Sequence, residues 1–428
     1  MDRKERIALD LEDARRRTHE LLGPVDDVRL TTQHDPLLSP LIWDYGHIGV
    51  FEELWLVSNI SDAPPVDEHL LHAYDAIENP RHTRRHLQLM DRPETLSYLE
   101  RVRSRALTLL DEVDLEGDDP LLRDGYVYDL TIQHEYQHDE TICQTLQLLP
   151  GGYLSDVPAL PAGRHVREDM VTIPGGRFPV GHDRHEPYDN EQGRHEVELA
   201  PFALDRFPVT NGQFLEFMQD GGYSRQELWS KDGWEWICAF GTQAPEYWFC
   251  RDGEWCVDRF GRCGSVDTKM PVMHVCFFEA DAYARWAGKR LPTEFEWEVG
   301  ASFDPATGDA RRHPWGDEAP TSEHANLDHR LFAPAPVGSY AKGSSPLGCE
   351  QMLGDVWEWT SSDFRAYPGF SAFPYAEYST PFFGSQFKVL RGGSWATRPS
   401  LARATFRNWD SPIKRQIFAG FRCAAEVA

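Results

Sequence analysis

Several things are scarce in this chain of 428 residues, and each scarcity narrows what it can be. No run approaches the ~18 consecutive apolar residues that a bilayer-spanning helix needs. The start, Met1-Asp2-Arg3-Lys4-Glu5-Arg6, enters charged helix without the apolar core of a secretory signal. The eight cysteines are scattered and form no C-x-x-C pair. Without an export signal they are expected as reduced thiols, and the cytoplasm as their compartment. Positive charge is short as well: 43 Lys and Arg face 69 Asp and Glu, a net charge of −26. That balance argues against nucleic acid and anionic membranes as partners, and its simplest consequence is solubility. Internal repeats and low-complexity tracts are missing too.

What remains is ample apolar material, 41% of residues, in a chain too long for one ordinary core, so two or three domains are expected. The halves differ in texture. Residues 1–155 carry helical periodicity around Ile7–Leu11, Leu41–Val57, Leu96–Leu110 and Leu121–Leu149. Ser39-Pro40 and Asp91-Arg92-Pro93-Glu94 supply helix starts. Four long helices predict an antiparallel bundle, in which metal sites are built from side chains of facing helices. Residues 156–168 read as a linker. From 169 to 428, Gly, Pro, Trp and Tyr punctuate short apolar runs, and a mixed domain with functional loops is expected. Val171–Gly181 reads as a hairpin, and Asn211–Met218 and Phe278–Ala287 as amphipathic helices.

The most informative stretch is His134-Glu135-Tyr136-Gln137-His138-Asp139-Glu140. Histidines four apart on a helix lie one turn above each other on one face, where two imidazoles can grip one divalent ion. Tyr128, Ile132, Ile142, Leu146 and Leu149 supply the helical frame, which Pro150-Gly151-Gly152 ends. The run matches both the zinc-peptidase pattern H-E-x-x-H and a wider H-x3-H-x-E pattern. Among 17 histidines such a pair also arises without any metal, as a surface pair or as hydrogen-bonded core residues. Flanking carboxylates, which commonly orient a ligating imidazole, favour the metal reading, and Glu140 is the expected orienting group. His47, inside Trp43-Asp44-Tyr45-Gly46-His47-Ile48-Gly49, could close a three-histidine site.

Trp43-Asp44-x-x-His47-Ile48-Gly49 taken with His134-x3-His138-x-Glu140 resembles a DinB-like four-helix bundle. Five later motifs resemble the formylglycine-generating-enzyme, C-type-lectin-like fold. They are Thr172–Gly176, Pro208-Val209-Thr210-Asn211, Arg290-Leu291-Pro292-Thr293-Glu294-x-Glu296-Trp297-Glu298, Gly354–Trp359 and Val389–Trp395. In this order the set is similar to the sulfoxide synthases of ergothioneine biosynthesis, over nearly the whole chain. The resemblance implies an all-helical domain followed by an α+β domain, and a non-haem Fe(II), O2-dependent enzyme. Such an enzyme joins a thiol to the imidazole C2 of Nα-trimethylhistidine (hercynine) and leaves a sulfoxide. It implies His47, His134 and His138 as iron ligands. It implies Gln137, Asn408 and Trp409 at hercynine, and Arg81, Arg84, Asp410 and the Lys414-Arg415 pair at the thiol substrate. Tyr375, with Tyr378 as the alternative, would supply a proton or hydrogen atom.

One departure bears on the substrate. Lys414 stands where the family pattern has an arginine, and lysine cannot make a bidentate fork to a carboxylate. The thiol is therefore open: γ-glutamylcysteine first, cysteine second, a selenosugar third. No cysteine pairing of the kind formylglycine generation needs is seen near Cys423. Three other readings compete: a zinc peptidase with Glu135 as base, a metal-dependent thiol transferase on the same bundle, and a non-enzymatic binding module.

Overall fold

A computed structural model describes residues 1–427 except 62, 165, 167, 168 and 185–187. Three residues of the expected linker, 165, 167 and 168, thus lie outside the described residues. The chain divides into two compact units, Met1–Ser155 with Tyr188, and Asp156–Arg184 with Asp189 onward.

In the first unit four long helices dominate: Arg3–Leu22, Leu41–Glu53, Arg92–Glu112 and Tyr126–Leu146. Asp2 and Asp91 cap the first and third through reciprocal hydrogen bonds with Glu5 and Glu94, which satisfy backbone N–H groups that have no helical partner. The Arg3–Leu22 helix packs along Tyr126–Leu146, and Leu41–Glu53 packs against both Arg92–Glu112 and Tyr126–Leu146. Every residue of Leu41–Glu53 is buried, and the helix continues into a π-helical turn at Leu54–Ser58. Such deep burial needs close approach. A Cβ at Gly46 would lie 2.4 Å from the Tyr74 ring, and one at Gly49 2.4 Å from Leu99. Glycine at both places is what lets this helix sit in the centre.

The bundle core is partly ionic. Arg15 reaches Glu135 at 2.8 Å and Glu52 at 2.7 Å, and Arg103 reaches Glu52 at 2.6 Å. All four side chains are buried, so each charge depends on its partners.

The second unit departs from the expected hairpin. Met170–Ile173 pairs with Phe202–Asp205, whereas Gly176–Val180 pairs with His195–Leu199. The Pro174-Gly175 step carries the chain from one sheet to another instead of folding it back. Gly175 is pressed against Leu199 and Pro201, with 2.9 Å between its would-be Cβ and the Leu199 carbonyl. The Phe202–Asp205 strand is the centre of a three-stranded sheet closed by Ala424–Glu426. A four-stranded sheet runs Asn408–Asp410, Gly384–Arg391, Trp357–Phe364 and Ala419–Gly420, the last pairing parallel. Helices Asn211–Gln219 and Phe277–Trp286 form as the periodicity predicts. Lys231–Phe240 and Glu294–Ser302 are additional helices.

Four buried arginines pin this unit. Arg391 pairs with Glu298 at 2.5 Å, Arg407 with Glu294 at 2.8 Å, Arg422 with Glu358 at 2.6 Å and Arg403 with Glu191. Glu294, Glu298 and Glu358 belong to the sequence motifs that mark this fold, and their role here is to neutralise guanidinium groups inside the core.

Candidate metal centre

His134 and His138 lie on one face of the Tyr126–Leu146 helix, and His47 meets them from the facing Leu41–Glu53 helix. Their ligand nitrogens all lie within 4.8 Å of one another. The ring centroids are 4.6 Å apart for His134 and His138, 4.7 Å for His47 and His138, and 5.1 Å for His47 and His134. Packing holds two of the rings. His134 stacks on Phe51 at 3.6 Å and His47 on Trp43 at 4.5 Å.

Outer contacts orient two of the imidazoles. His47 Nδ1 lies 2.7 Å from the Tyr74 carbonyl oxygen, so Nδ1–H donates there and Nε2 is left to ligate. His138 Nδ1 lies 2.9 Å from Asp44 Oδ1, which directs its Nε2 the same way. Burial, with His138 close by, holds His47 and His134 well below the ordinary imidazole pKa. Three imidazole nitrogen donors, a carboxylate behind one and a carbonyl behind another, form a donor set that fits a divalent first-row metal such as Fe(II). Asp44 was missed from sequence as an orienting group. It lies three residues before one histidine yet serves another, across 94 positions of chain. Glu140 is buried on the same helix as His138. Replacing Asp44 by leucine is expected to weaken metal affinity by about 10- to 100-fold, read by titration against a competing chelator. Unchanged affinity would leave the orienting role without support.

Glu135 faces elsewhere. It accepts from Arg15 and, at 2.9 Å, from Thr18, so the general base of the H-E-x-x-H reading is consumed in the ionic core. Gln137 accepts a 2.9 Å hydrogen bond from Tyr188, a residue buried with the bundle and not foreseen from sequence. Arg84 is also buried. Its guanidinium lies 3.3 Å from the Trp43 ring centroid, donates to Ser39 Oγ at 2.6 Å, and is pushed down to about 10 by burial. Arg81 is exposed nearby in sequence and donates to the Leu37 carbonyl at 3.3 Å.

The other expected site residues belong to the second unit. Asn408, Trp409 and Asp410 form an edge strand paired to Lys388–Leu390, all three half-buried. Trp409 stacks on Phe364 at 4.1 Å and receives the edge of Tyr378 at 5.5 Å. Tyr378 in turn lies 6.2 Å from Tyr375. Lys414 is half-buried on the loop that follows the edge strand. Arg415 is committed within this unit to Glu246 at 2.7 Å and Glu279 at 3.0 Å, so a substrate carboxylate would compete with two glutamates. Cys423 is fully buried, and burial pushes its thiol well up, which suppresses thiolate reactivity. All eight cysteines are free thiols. No helix among the described residues is long and apolar enough to cross a membrane.

Comparison with known proteins agrees with the two-unit reading. The DinB superfamily matches residues 10–142 and the Sulfatase-modifying factor enzyme 1-like domain matches residues 158–427. Hercynine oxygenase of Mycobacterium tuberculosis is 46% identical, with all of this chain and all of that protein covered. Hercynine oxygenase of Mycolicibacterium smegmatis is also 46% identical, covering 99% of each. A formylglycine-generating enzyme of Thermomonospora curvata is 32% identical over 61% of this chain and 95% of its own length. Likeness at that level across the helical and the mixed unit alike means that this chain belongs to the hercynine oxygenase family and is an oxygenase.

Proposed function

We propose that this protein is an Fe(II)-dependent sulfoxide synthase that couples hercynine C2 to the sulfur of γ-glutamylcysteine with O2, in ergothioneine biosynthesis. The observation that carries the reading is the convergence of His47, His134 and His138 in a chain whose full-length relatives are named hercynine oxygenases. The overall reaction balances. Hercynine loses its C2 hydrogen and the thiol its S–H hydrogen, one oxygen atom of O2 becomes the sulfoxide oxygen, and the other leaves as water.

The three histidines would hold the iron, which when bound supplies redox chemistry with O2 and a docking position for thiolate sulfur. The chain's own residues do the rest. Gln137, its amide oriented by Tyr188, binds the hercynine imidazole. Asn408 and Trp409 hold the betaine end, where the indole face attracts a quaternary ammonium by cation–π interaction. Tyr375 Oη supplies a proton or hydrogen atom during O2 reduction and so steers oxidation toward coupling rather than toward a sulfinic acid. Burial, helped by Asp189 and Glu377, pushes the Tyr375 phenol up, which keeps that proton in place at neutral pH. Arg81 and Arg84 take the cysteinyl carboxylate, and Asp410 with Lys414 takes the γ-glutamyl ammonium and carboxylate.

The test is anaerobic reconstitution with Fe(II), followed by O2 uptake and mass spectrometry of products with hercynine and a panel of thiols. Sulfoxide formed from hercynine and γ-glutamylcysteine is the expected product. Metal-dependent thiol transfer without O2 uptake would overturn the reading. Tyr375→Phe is expected to raise the proportion of sulfinic acid with substrate KM values little changed; a response in Tyr378→Phe instead would move the role along the loop.

The thiol has its own test. Removing one partner of a charge-assisted contact costs about 1.5–3 kcal/mol, roughly 10- to 150-fold in affinity. Asp410→Asn should raise KM for γ-glutamylcysteine by about that factor and leave the weak use of cysteine nearly unchanged. Equal effects on both thiols, or a wild-type preference for cysteine, would remove the γ-glutamyl assignment.

A further inference from the structure

The loop that carries Tyr375 and Tyr378 is fastened at two points to one buried carboxylate. Asp189, 4% exposed, accepts from Ser379 Oγ through Oδ1 at 2.5 Å and from the Phe373 backbone N–H through Oδ2 at 3.3 Å. Ser379 is fully buried, and its hydroxyl oxygen also accepts from Asn190 Nδ2 at 3.1 Å. Tyr375 and Tyr378 lie between the two attachment points.

The carboxylate is itself held firmly. It opens the short turn Asp189–Glu191, every residue of which is buried. Arg407 donates to the Asn190 carbonyl at 2.6 Å, and Glu191 accepts from Arg403 at 3.0 Å and from Thr405 at 2.7 Å. An aromatic loop therefore meets a firmly held anchor at both of its ends, while in its middle Tyr378 packs edge-on against Trp409 and Tyr375 lies beside Tyr378.

From this geometry we infer that Asp189 is a positioning residue: a two-point clamp that sets where the tyrosine loop holds its phenols. The inference rests on the proposed role of Tyr375, and it adds a residue that touches no substrate. Asparagine at position 189 keeps the volume but removes the negative charge and leaves one acceptor oxygen for two donors, so at most one of the two bonds survives as it stands and neither is charge-assisted. Ser379→Ala releases the Ser379 end by removing the hydroxyl.

The experiment uses the full chain, reconstituted with Fe(II) and supplied with hercynine and γ-glutamylcysteine. Hydrogen–deuterium exchange of residues 373–379 and the ratio of sulfoxide to sulfinic acid are measured in wild type, Asp189→Asn, Ser379→Ala and Tyr375→Phe. The clamp predicts faster exchange in the loop, by about tenfold or more for the loss of one charge-assisted bond. It also predicts a rise in sulfinic acid in Asp189→Asn and Ser379→Ala in the same direction as Tyr375→Phe, with both KM values within about threefold of wild type. Unchanged loop exchange in both clamp variants overturns the proposal. Faster exchange with an unaltered product ratio, in the presence of a responsive Tyr375→Phe, also overturns it, since Asp189 would then be structural only. A silent Tyr375→Phe overturns the tyrosine reading itself and is recognisable because loop exchange still responds at Asp189. Should Asp189→Asn fail to fold, Ser379→Ala alone carries both measurements.

Discussion

His47→Ala is expected to lose bound metal and turnover together while the bundle stays folded. The three imidazoles come from two helices, and His47 is the sole contribution of Leu41–Glu53 to the cluster. Its ring stacks on Trp43 and its Nδ1–H is fixed by the Tyr74 carbonyl, so neither His134 nor His138 can move into its place. Two nitrogens from one helix turn do not enclose a divalent ion that ordinarily takes at least three protein ligands in a catalytic site. Metal content after anaerobic reconstitution, circular dichroism and product formation are the three readouts. Full iron and full turnover in this variant would sink the three-histidine site. Glu135→Gln provides the contrast. As the base of a peptidase its loss would abolish activity at unchanged stability. As a partner of Arg15 it should weaken the bundle first.

Glu52→Ala is expected to destabilise the helical unit by about 3–5 kcal/mol, because it removes one of the two buried carboxylates that Arg15 and Arg103 share, leaving both guanidinium groups to Glu135, which Arg103 meets only at 3.6 Å. For a unit of this size, on the order of 10 °C in thermal midpoint follows. Both guanidinium groups touch Glu52, at 2.7 and 2.6 Å, and its side chain is fully buried. Burial acts to raise the Glu52 carboxyl, but Arg103 and Arg15 outweigh it and hold it below its ordinary value of 4.5. A carboxyl depressed in the folded state contributes stability that is complete above its unfolded value and lost as pH falls through the folded one. Wild type should therefore weaken on acidification below about 4.5, and the Glu52→Ala variant should show less of that acid dependence. Denaturant midpoints across pH 3–7 test both statements. An unchanged midpoint in the variant at pH 7 would mean that the ionic core contributes nothing.

Gly46→Ala illustrates how close helix packing and the histidine cluster share one constraint. The added methyl would enter the Tyr74 ring, whose residue also supplies the carbonyl behind His47.

The histidine pair was legible because its information is local. Helical periodicity around Tyr126–Leu146 puts residues four apart on one face whatever the rest of the chain does. The start of the Arg92–Glu112 helix was legible for the same reason, since Asp91 finds its partner Glu94 three residues on. Family and fold were legible through ordered motifs, several of which prove to be buried glutamates pairing with distant arginines. Residue order alone could state that Glu298 matters to the fold; only the folded chain brings Arg391 to it.

The hairpin at Val171–Gly181 went the other way. Both its strands form, but strand pairing is decided by which edges meet after collapse, and both strands find partners beyond residue 194. The same limit hid Asp44 behind His138, Tyr188 beside Gln137 and Asp189 beneath the tyrosine loop, contacts made across 94, 51 and 190 positions. Spacing along the chain thus determined the long helices of the first unit, two helices of the second, the family and the pairing of His134 with His138 on one helix face. Only tertiary structure decided which carboxylates orient, which are neutralised in the core, and which residue holds the loop. Those choices depend on burial and on partners that no local pattern encodes.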